Sequence, residues 1–401
     1  MLLLGSELIE ILYRDLHGLN ANGPNGLNGS NHSNFHSMAP AGHSSYSDFI
    51  FDLVMPQEKL SPLFAAPQQK LWRRVEPSIW SPANAVAQEN PAKSVMRTLW
   101  DQPRWLEAFH LYDDLGSALF EQICALPEYY LTRTENAILE REATRIIASA
   151  PAHCIVELGA GSSKKTTHLL KAQLMQRGAS IFAPIDVSLP GLAASRDFVE
   201  KNFPLVQFHG LHARYEDGIS AIERNLSTLF VFLGSTIGNF NPSSFARFFT
   251  HLSNAMSPDD FLLLGVDRIK DVDVLERAYD DSQGITAEFI LNVFQNINGL
   301  TGSNFDRGKM RYHSWFNPEW RQIEMYAVAT EPQEVRFPTV PTAFQWQKDE
   351  KILVEISRKF DPVRLQEQLR FFDLRAVEHY TDANQWFSVM LLKKVAKADG
   401  S

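Results

Sequence analysis

The stretch Cys154 to Thr166, C-I-V-E-L-G-A-G-S-S-K-K-T, decides the fold of this 401-residue chain. Its first residues, Cys154 to Leu158, form a short apolar run that reads as a buried strand. Gly159 and Gly161 then turn the backbone, and Ser162, Ser163 and Thr166 open a helix. A strand, a tight turn and a helix in this order present free backbone N–H groups and the positive helix end to a ligand. The two glycines let that ligand approach the main chain where any side chain would collide.

Two nucleotide loops are disfavoured at once. The dinucleotide fingerprint needs a third glycine for close packing of helix on strand, and Ser162, Ser163 and Lys164 stand here instead, which argues against NAD. The G-x-x-x-x-G-K-[ST] spacing of a P-loop is absent. Glu157-x-Gly159-x-Gly161 suits an adenosyl amino acid held by a carboxylate and a tight turn, as in S-adenosylmethionine-dependent methyltransferases. A purely structural turn after a buried strand would share these features.

Downstream, apolar runs at 180–187, 207–211, 228–235 and 261–266 alternate with helical patterns at 189–202, 217–225 and 242–256. Such alternation predicts a parallel sheet with right-handed crossovers, whose ligands lie beyond the carboxyl ends of the strands. Asp186 stands at one such end, placed either to accept hydrogen bonds from ribose hydroxyls or to cap the next helix. Asn239 follows another in L-G-S-T-I-G-N-F, residues 233–240, either aimed into the cleft or closing a turn.

Between about 269 and 358 the alternation stops, and strand-like segments at 310–314, 322–329 and 352–357 predict an antiparallel insertion over the sheet's carboxyl edge. In V-E-I-S, residues 354–357, a period of two puts Glu355 and Ser357 on one face. That pair suits a polar, N–H-bearing ligand group, or else marks an exposed strand face. A helix near 362–371 and a strand at 386–394 close the pattern.

Upstream, helical periodicity runs from about Lys93 to Leu126. Thr132 and Glu135 then read as a capping box, leaving Tyr129 and Tyr130 in the loop before a helix. Residues 1–17 could form an amphipathic helix, and the Asn-, Gly-, Ser- and His-rich stretch from Leu19 to Ser47 reads as flexible. The spacing of His32, His36 and His43 matches no standard metal pattern. From there to Ala92 the chain reads as irregular.

Net charge is -9, from 38 basic and 47 acidic residues, which gives no electrostatic footprint for nucleic acid. Cys124 and Cys154 are the only cysteines, too few for a disulfide framework, and point to a reducing, cytoplasmic setting. No apolar run approaches a membrane span, and Glu7 and Glu10 interrupt the apolar start.

Several strings occur together: L-P-E-Y-Y-x-T-R-T-E, E-L-G-A-G-S-S-x-K-T, F-L-G-S-T-I-G-N, R-A-Y-D-D-x-x-G-I-T-A-x-F, Q-I-E-M and E-I-S-x-K-F. In this order, from about Tyr112 to Lys394, they resemble the bacterial histidine Nα-methyltransferases of ergothioneine biosynthesis, whose fungal relatives act on tryptophan derivatives. The resemblance implies an α/β fold: a seven-stranded, doubly wound, Rossmann-like class I methyltransferase sheet, from 93–268 and 359–397, with a smaller α+β substrate domain inserted at 269–358. Residues 1–92 would be an N-terminal extension, partly disordered.

The resemblance also implies site roles. Gly159, Gly161, Lys165 and Asp186 would bind S-adenosylmethionine, with Tyr215 on the adenine side. Bacterial members usually carry G-D-F after the third strand, whereas this chain reads G-L-H-A-R-Y at 210–215. Tyr129 and Asn239 would hold the substrate's α-amino group, Asn239 and Tyr279 its carboxylate, and Glu355 and Ser357 its imidazole. Tyr112, Phe289 and Met325 would line the pocket. The implied enzyme is a cytoplasmic monomer that trimethylates L-histidine, with no nucleic-acid, membrane or metal partner. Alternatives are an N-methyltransferase for another aromatic amino acid, a cofactor-binding protein without turnover and, more distantly, a nicotinamide dehydrogenase.

Overall fold

A computed structural model describes residues 71–83, 90–161, 163–222 and 226–395. The expected helix at 1–17, the polar stretch after it and His32, His36 and His43 lie outside the described residues.

The chain begins with β1 (Trp72–Glu76) and β2 (Ile79–Pro82), then α1 (Pro91–Trp100), α2 (Asp114–Ala125) and α3 (Tyr130–Ser149). The alternating part follows as β3 (Cys154–Leu158), α4 (Thr167–Arg177), β4 (Ser180–Asp186), α5 (Leu189–Asn202), β5 (Val206–Phe208) and β6 (Gly210–His212). It continues through α6 (Tyr215–Ala221), β7 (Thr228–Phe232), α7 (Pro242–Ala255) and β8 (Phe261–Asp267). Next come α8 (Val272–Arg277), α9 (Ile285–Thr301), β9 (Met310–Asn317), β10 (Gln322–Ala329), β11 (Gln333–Val335), β12 (Phe344–Trp346) and β13 (Lys351–Arg358). The last elements are α10 (Pro362–Arg370), β14 (Leu374–Thr381) and β15 (Phe387–Lys394).

The main sheet runs β1-β2-β6-β4-β3-β7-β8-β15-β14, with β5 also paired to β4. Strands β3, β4, β6, β7 and β8 are parallel, and β15 returns antiparallel against β8. Both β3 and β7 are buried along their whole length, as a parallel strand covered on two faces must be. The doubly wound α/β expectation holds, and among the described residues the sheet has ten strands rather than seven.

The extra strands have identifiable causes. The supposedly irregular residues 72–82 form a hairpin whose β2 adds parallel to β6. The run near 207–211 is split at His209 into β5 and β6. Strand β14 escaped the sequence reading because Arg375, Glu378 and His379 interleave its apolar residues, as suits a sheet edge.

The second layer covers the carboxyl edge. Strands β13-β10-β9 form an antiparallel sheet, and α2 packs against α9 beside it. Residues 104–106 pair with β13: the Leu353 N–H donates to the Arg104 carbonyl (2.9 Å), and the Leu106 N–H donates to the Leu353 carbonyl (2.9 Å). The single helical region expected from Lys93 to Leu126 is therefore two helices separated by a short 3-10 turn, Ala108–Leu111.

Candidate active site

The loop after β3 keeps the geometry its glycines permit. Gly159 has φ +73° and Gly161 φ +49°, conformations that disfavour a Cβ. A Cβ on Gly159 would lie 2.8 Å from the Tyr215 hydroxyl, whereas one on Gly161 would meet nothing within 4 Å. Asp186 closes β4 and faces this loop. Its Oδ2 accepts the Gly161 N–H (3.0 Å) and its Oδ1 the Ser188 N–H (2.8 Å). The cap of α5 is Ser188, which accepts from the Gly191 N–H, so Asp186 braces the turn instead of capping the helix. Each carboxylate oxygen retains a lone pair for a further donor.

Glu157 is buried, and the Thr166 hydroxyl donates to one of its oxygens. The other oxygen has no hydrogen-bond partner among the described residues, and burial pushes the carboxyl up to about 7 against the pull of the Thr166 and Ser163 hydroxyls. An orphaned buried carboxylate oxygen beside an open glycine turn fits a ligand that brings its own donor, as an adenosyl amino acid would. Tyr215 stands on α6 with its ring against Phe232 and Phe248, at 5.4 and 6.0 Å, and its hydroxyl over Gly159.

Lys165 reaches the end of β7, where it pairs with Glu135. Glu135 was expected to cap a helix starting near Thr132. The helix starts instead at Tyr130, and the buried Glu135 carboxylate accepts the Gly234 N–H at 2.8 and 2.9 Å. An orphan N–H at a strand end and a lysine together outweigh a cap exposed to water.

The eight expected substrate residues share one cleft, lined by Tyr112, Tyr129, Asn239, Tyr279, Phe289, Met325, Glu355 and Ser357 together with Phe120, Ile123, Gly234, Ser235, Thr236 and Thr286. Several elements aim them. A bulge opposite Met325/Tyr326 leaves consecutive Val354 and Glu355 both buried, after which Ser357 follows Glu355 on the same face. Asn239 ends a 3-10 turn, Thr236–Asn239, seated on β13 so tightly that a Cβ on Gly238 would lie 2.9 Å from the Arg358 carbonyl. Asn292 on α9 donates to Asp113 (2.7 Å), which caps α2 and fixes the adjacent Tyr112. The rings of Tyr112 and Phe289 meet edge to face at 5.7 Å, as do those of Tyr129 and Tyr279 at 5.9 Å.

Polar contacts join the cleft's side chains in two pairs. The Asn239 amide donates to Glu355 Oε1 (2.9 Å), so two residues expected to hold different parts of a ligand touch each other directly. Burial pushes the Glu355 carboxyl up to about 8, against the pull of the nearby Lys359 ammonium. The Tyr279 and Ser357 hydroxyls lie 2.8 Å apart. Burial raises Tyr112, Tyr129 and Tyr279 above the usual phenol range, so all three remain hydroxyls at neutral pH.

Some neighbours of the site went unassigned in the sequence. Asp267 ends β8 as Asp186 ends β4, a parallel that could have flagged it. Lys359 stands in the E-I-S-x-K-F string, where nothing gave it a role. Tyr130 turns away from the cleft and donates to Asp267 at 2.8 and 2.9 Å.

Residues 91–394 match the model of a family described as histidine-specific, S-adenosylmethionine-dependent methyltransferases. The histidine N-alpha-methyltransferase of Mycobacterium tuberculosis is 36% identical over 302 residues, covering 75% of this chain and 94% of that one. Its counterpart from Mycolicibacterium smegmatis is 36% identical over 77% of this chain and 98% of its own. Ergothioneine biosynthesis protein 1 of Neurospora crassa is 34% identical over 68% of this chain, which matches 30% of that longer protein.

Proposed function

Because the chain belongs to the histidine-specific, S-adenosylmethionine-dependent methyltransferase family, we propose that it trimethylates the α-amino nitrogen of L-histidine to histidine betaine (hercynine), the first step of ergothioneine biosynthesis. The observation that carries this reading is one cleft that gathers an amide, aromatic walls and a buried carboxylate beside a hydroxyl.

Bound S-adenosylmethionine supplies a methyl on a sulfonium, whose S–C bonding pair stays on sulfur as the new N–C bond forms. The chain's task is to aim the amine lone pair at that methyl, which positioning alone can accelerate greatly. Tyr129 and Asn239 hold the amine by hydrogen bonds. Neither is a base, since Tyr129 stays protonated and an amide does not titrate, so the amine proton passes to water. Asn239 and Tyr279 hold the carboxylate while Glu355 and Ser357 hold the ring. With carboxylate and ring fixed, the amine can rotate about its own C–N bond between transfers. Gly159, Gly161, Lys165, Asp186 and Tyr215 would hold the methyl donor, a role that the open Gly161 and the unpartnered Glu157 oxygen support.

An imidazole presents two nitrogens, matching Glu355 and Ser357, whereas an indole has a single N–H. That difference favours histidine over tryptophan derivatives by about 1 to 3 kcal/mol, the cost of leaving a buried polar group unpaired. The setting we infer is cytoplasmic, in keeping with two unpaired cysteines, Cys124 and Cys154. Among the described residues no helix is long and apolar enough to cross a membrane. A monomer without nucleic-acid partners completes the proposal, and sedimentation with and without added RNA checks it.

A panel of L-amino acids with a labelled methyl donor tests the substrate. Label should appear on histidine well ahead of tryptophan and its derivatives. Preference for another aromatic amino acid would move the assignment to that substrate, and tight donor binding with no product would make the protein non-catalytic.

A further inference from the structure

Behind the Tyr279–Ser357 wall of the cleft lies a sealed charged cluster. Lys359 has no exposed side-chain surface. Its ammonium donates to Asp267 Oδ2 (2.8 Å), the Tyr279 hydroxyl (2.8 Å) and the Ser357 hydroxyl (2.9 Å). An ammonium has three donors and no acceptor, so these contacts complete its shell without water. Asp267, also buried, contacts a second ammonium, Lys270, whose Nζ lies 2.6 Å from the Tyr130 hydroxyl. The Asp267 N–H donates to Ser235, itself a cleft residue (2.9 Å).

Lys359 and Lys270 both face Asp267, while Asp382 also acts on Lys270 and Glu355 lies within reach of the Lys359 charge. Burial lowers Lys270 to about 8 despite Asp267, so at neutral pH it is mostly charged. A buried ammonium is costly unless acceptors surround it, and Lys359 spends two of its three donors on the Tyr279 and Ser357 hydroxyls. The surface through which it acts is set by the hydrogen bonds. Lys359 donates to both hydroxyl oxygens, which turns their lone pairs inward. The oxygens are close enough to share one proton; with Ser357 as its donor, the Tyr279 proton is left for an acceptor in the cleft, and Ser357 keeps a lone pair for a ring N–H. The wall thus offers a polarised donor backed by positive charge, which suits an anion.

We propose that Lys359, anchored by Asp267, is a positioning residue that makes the Tyr279–Ser357 wall select an amino acid bearing a free carboxylate. This inference rests on the reading of the cleft as a histidine clamp. Lys359 does not touch the substrate. It acts through Tyr279 and Ser357, and its effect should follow the substrate's charge rather than the integrity of the fold.

The test compares L-histidine with histamine, which keeps the ring and amine and lacks the carboxylate. Affinities for both are measured by calorimetry on the full chain with S-adenosylhomocysteine present, and kcat and KM are measured for histidine. In Lys359→Met the preference for histidine over histamine should fall at least about tenfold, with KM for histidine rising more than kcat falls. Affinity for S-adenosylhomocysteine should stay within about twofold of wild type. Lys359→Gln, which keeps two N–H donors without the charge, should show the same loss of preference and serves if the Met variant does not fold. An unchanged histidine-to-histamine ratio in a folded variant overturns the inference, and failure of both variants to fold overturns it in favour of a purely structural lysine. A wild-type protein that binds neither ligand defeats the histidine reading itself. A wild type that prefers histidine, beside variants that keep the preference, defeats only the role of Lys359.

Discussion

Glu355→Gln separates the cost of burying a carboxylate from its use in gripping a ring. The carboxyl rises from an ordinary 4.5 to about 8, with burial as the main cause. The groups around it are the hydroxyls of Tyr112 and Tyr129, the Asn239 amide and, in opposition, the Lys359 ammonium. A folded-state value above the unfolded one means that the folded protein binds the extra proton between those two values. Stability from this group is therefore fully present below about pH 4.5, declines as pH rises toward 8, and is lost above it. The span from 4.5 to about 8 corresponds to roughly 4 to 5 kcal/mol at most. Glutamine imitates the protonated acid and does not titrate. The empty variant should match wild type near pH 5 and exceed it at pH 9 by a few kcal/mol, about 5 °C in Tm for a chain of this size. Thermal melts of both proteins across this range supply the measurement, and subtracting one curve from the other cancels other groups such as Glu157, which burial raises to about 7. The same variant should lose about 10- to 100-fold in kcat/KM for histidine, because an amide cannot ionise to pair with a protonated imidazole as the carboxyl can. Melting curves that stay parallel from pH 5 to 9 would refute the reasoning.

Asn239→Ala removes the amide we propose for both the amine and carboxylate clamps and leaves Glu355 without its 2.9 Å donor; kcat/KM should fall by several kcal/mol in activation terms, about 100-fold or more, and near wild-type kinetics would take Asn239 out of the site. Gly159→Ala must place a Cβ at φ +73° and 2.8 Å from the Tyr215 hydroxyl, so S-adenosylhomocysteine should bind at least about tenfold more weakly in calorimetry, and unchanged affinity would mean the loop does not carry the ligand. Gly265→Ala, in the middle of β8, drives a methyl into the Glu135 carboxylate; denaturant unfolding should show a loss of about 2 kcal/mol or more, and a neutral result would mean that Glu135 can leave Lys165 and Gly234 freely.

The parallel core was legible because β3, β4, β7 and β8 are buried on both faces and read as unbroken apolar runs closed by glycine or acid. Edges were harder to read: β14 mixes charged and apolar residues, and β1 and β2 gain their partners only through a contact with β6 far along the chain. The candidate cleft was legible through strings such as Y-Y-x-T-R-T-E and E-I-S-x-K-F, whose polar residues stand where a core would place apolar ones. What spacing concealed was the side-chain pairing across distant elements. Glu135 looked like a cap because the local pattern T-x-x-E contains no hint of Lys165, thirty residues on, or of Gly234. Asp267 and Lys359 became a pair only when β8 and the end of β13 were brought together, with the Phe360 N–H donating to the Asp267 carbonyl (2.8 Å).

The central claim is that the cleft around Asn239, Tyr279 and Glu355 presents the α-amine of histidine to a methyl donor. Mass spectrometry of L-histidine incubated with the full chain and S-adenosylmethionine tests it most directly. The account predicts products heavier by one, two and finally three methyl groups, all on the α-nitrogen. Histidine recovered unchanged, or methylated on the ring, would contradict it.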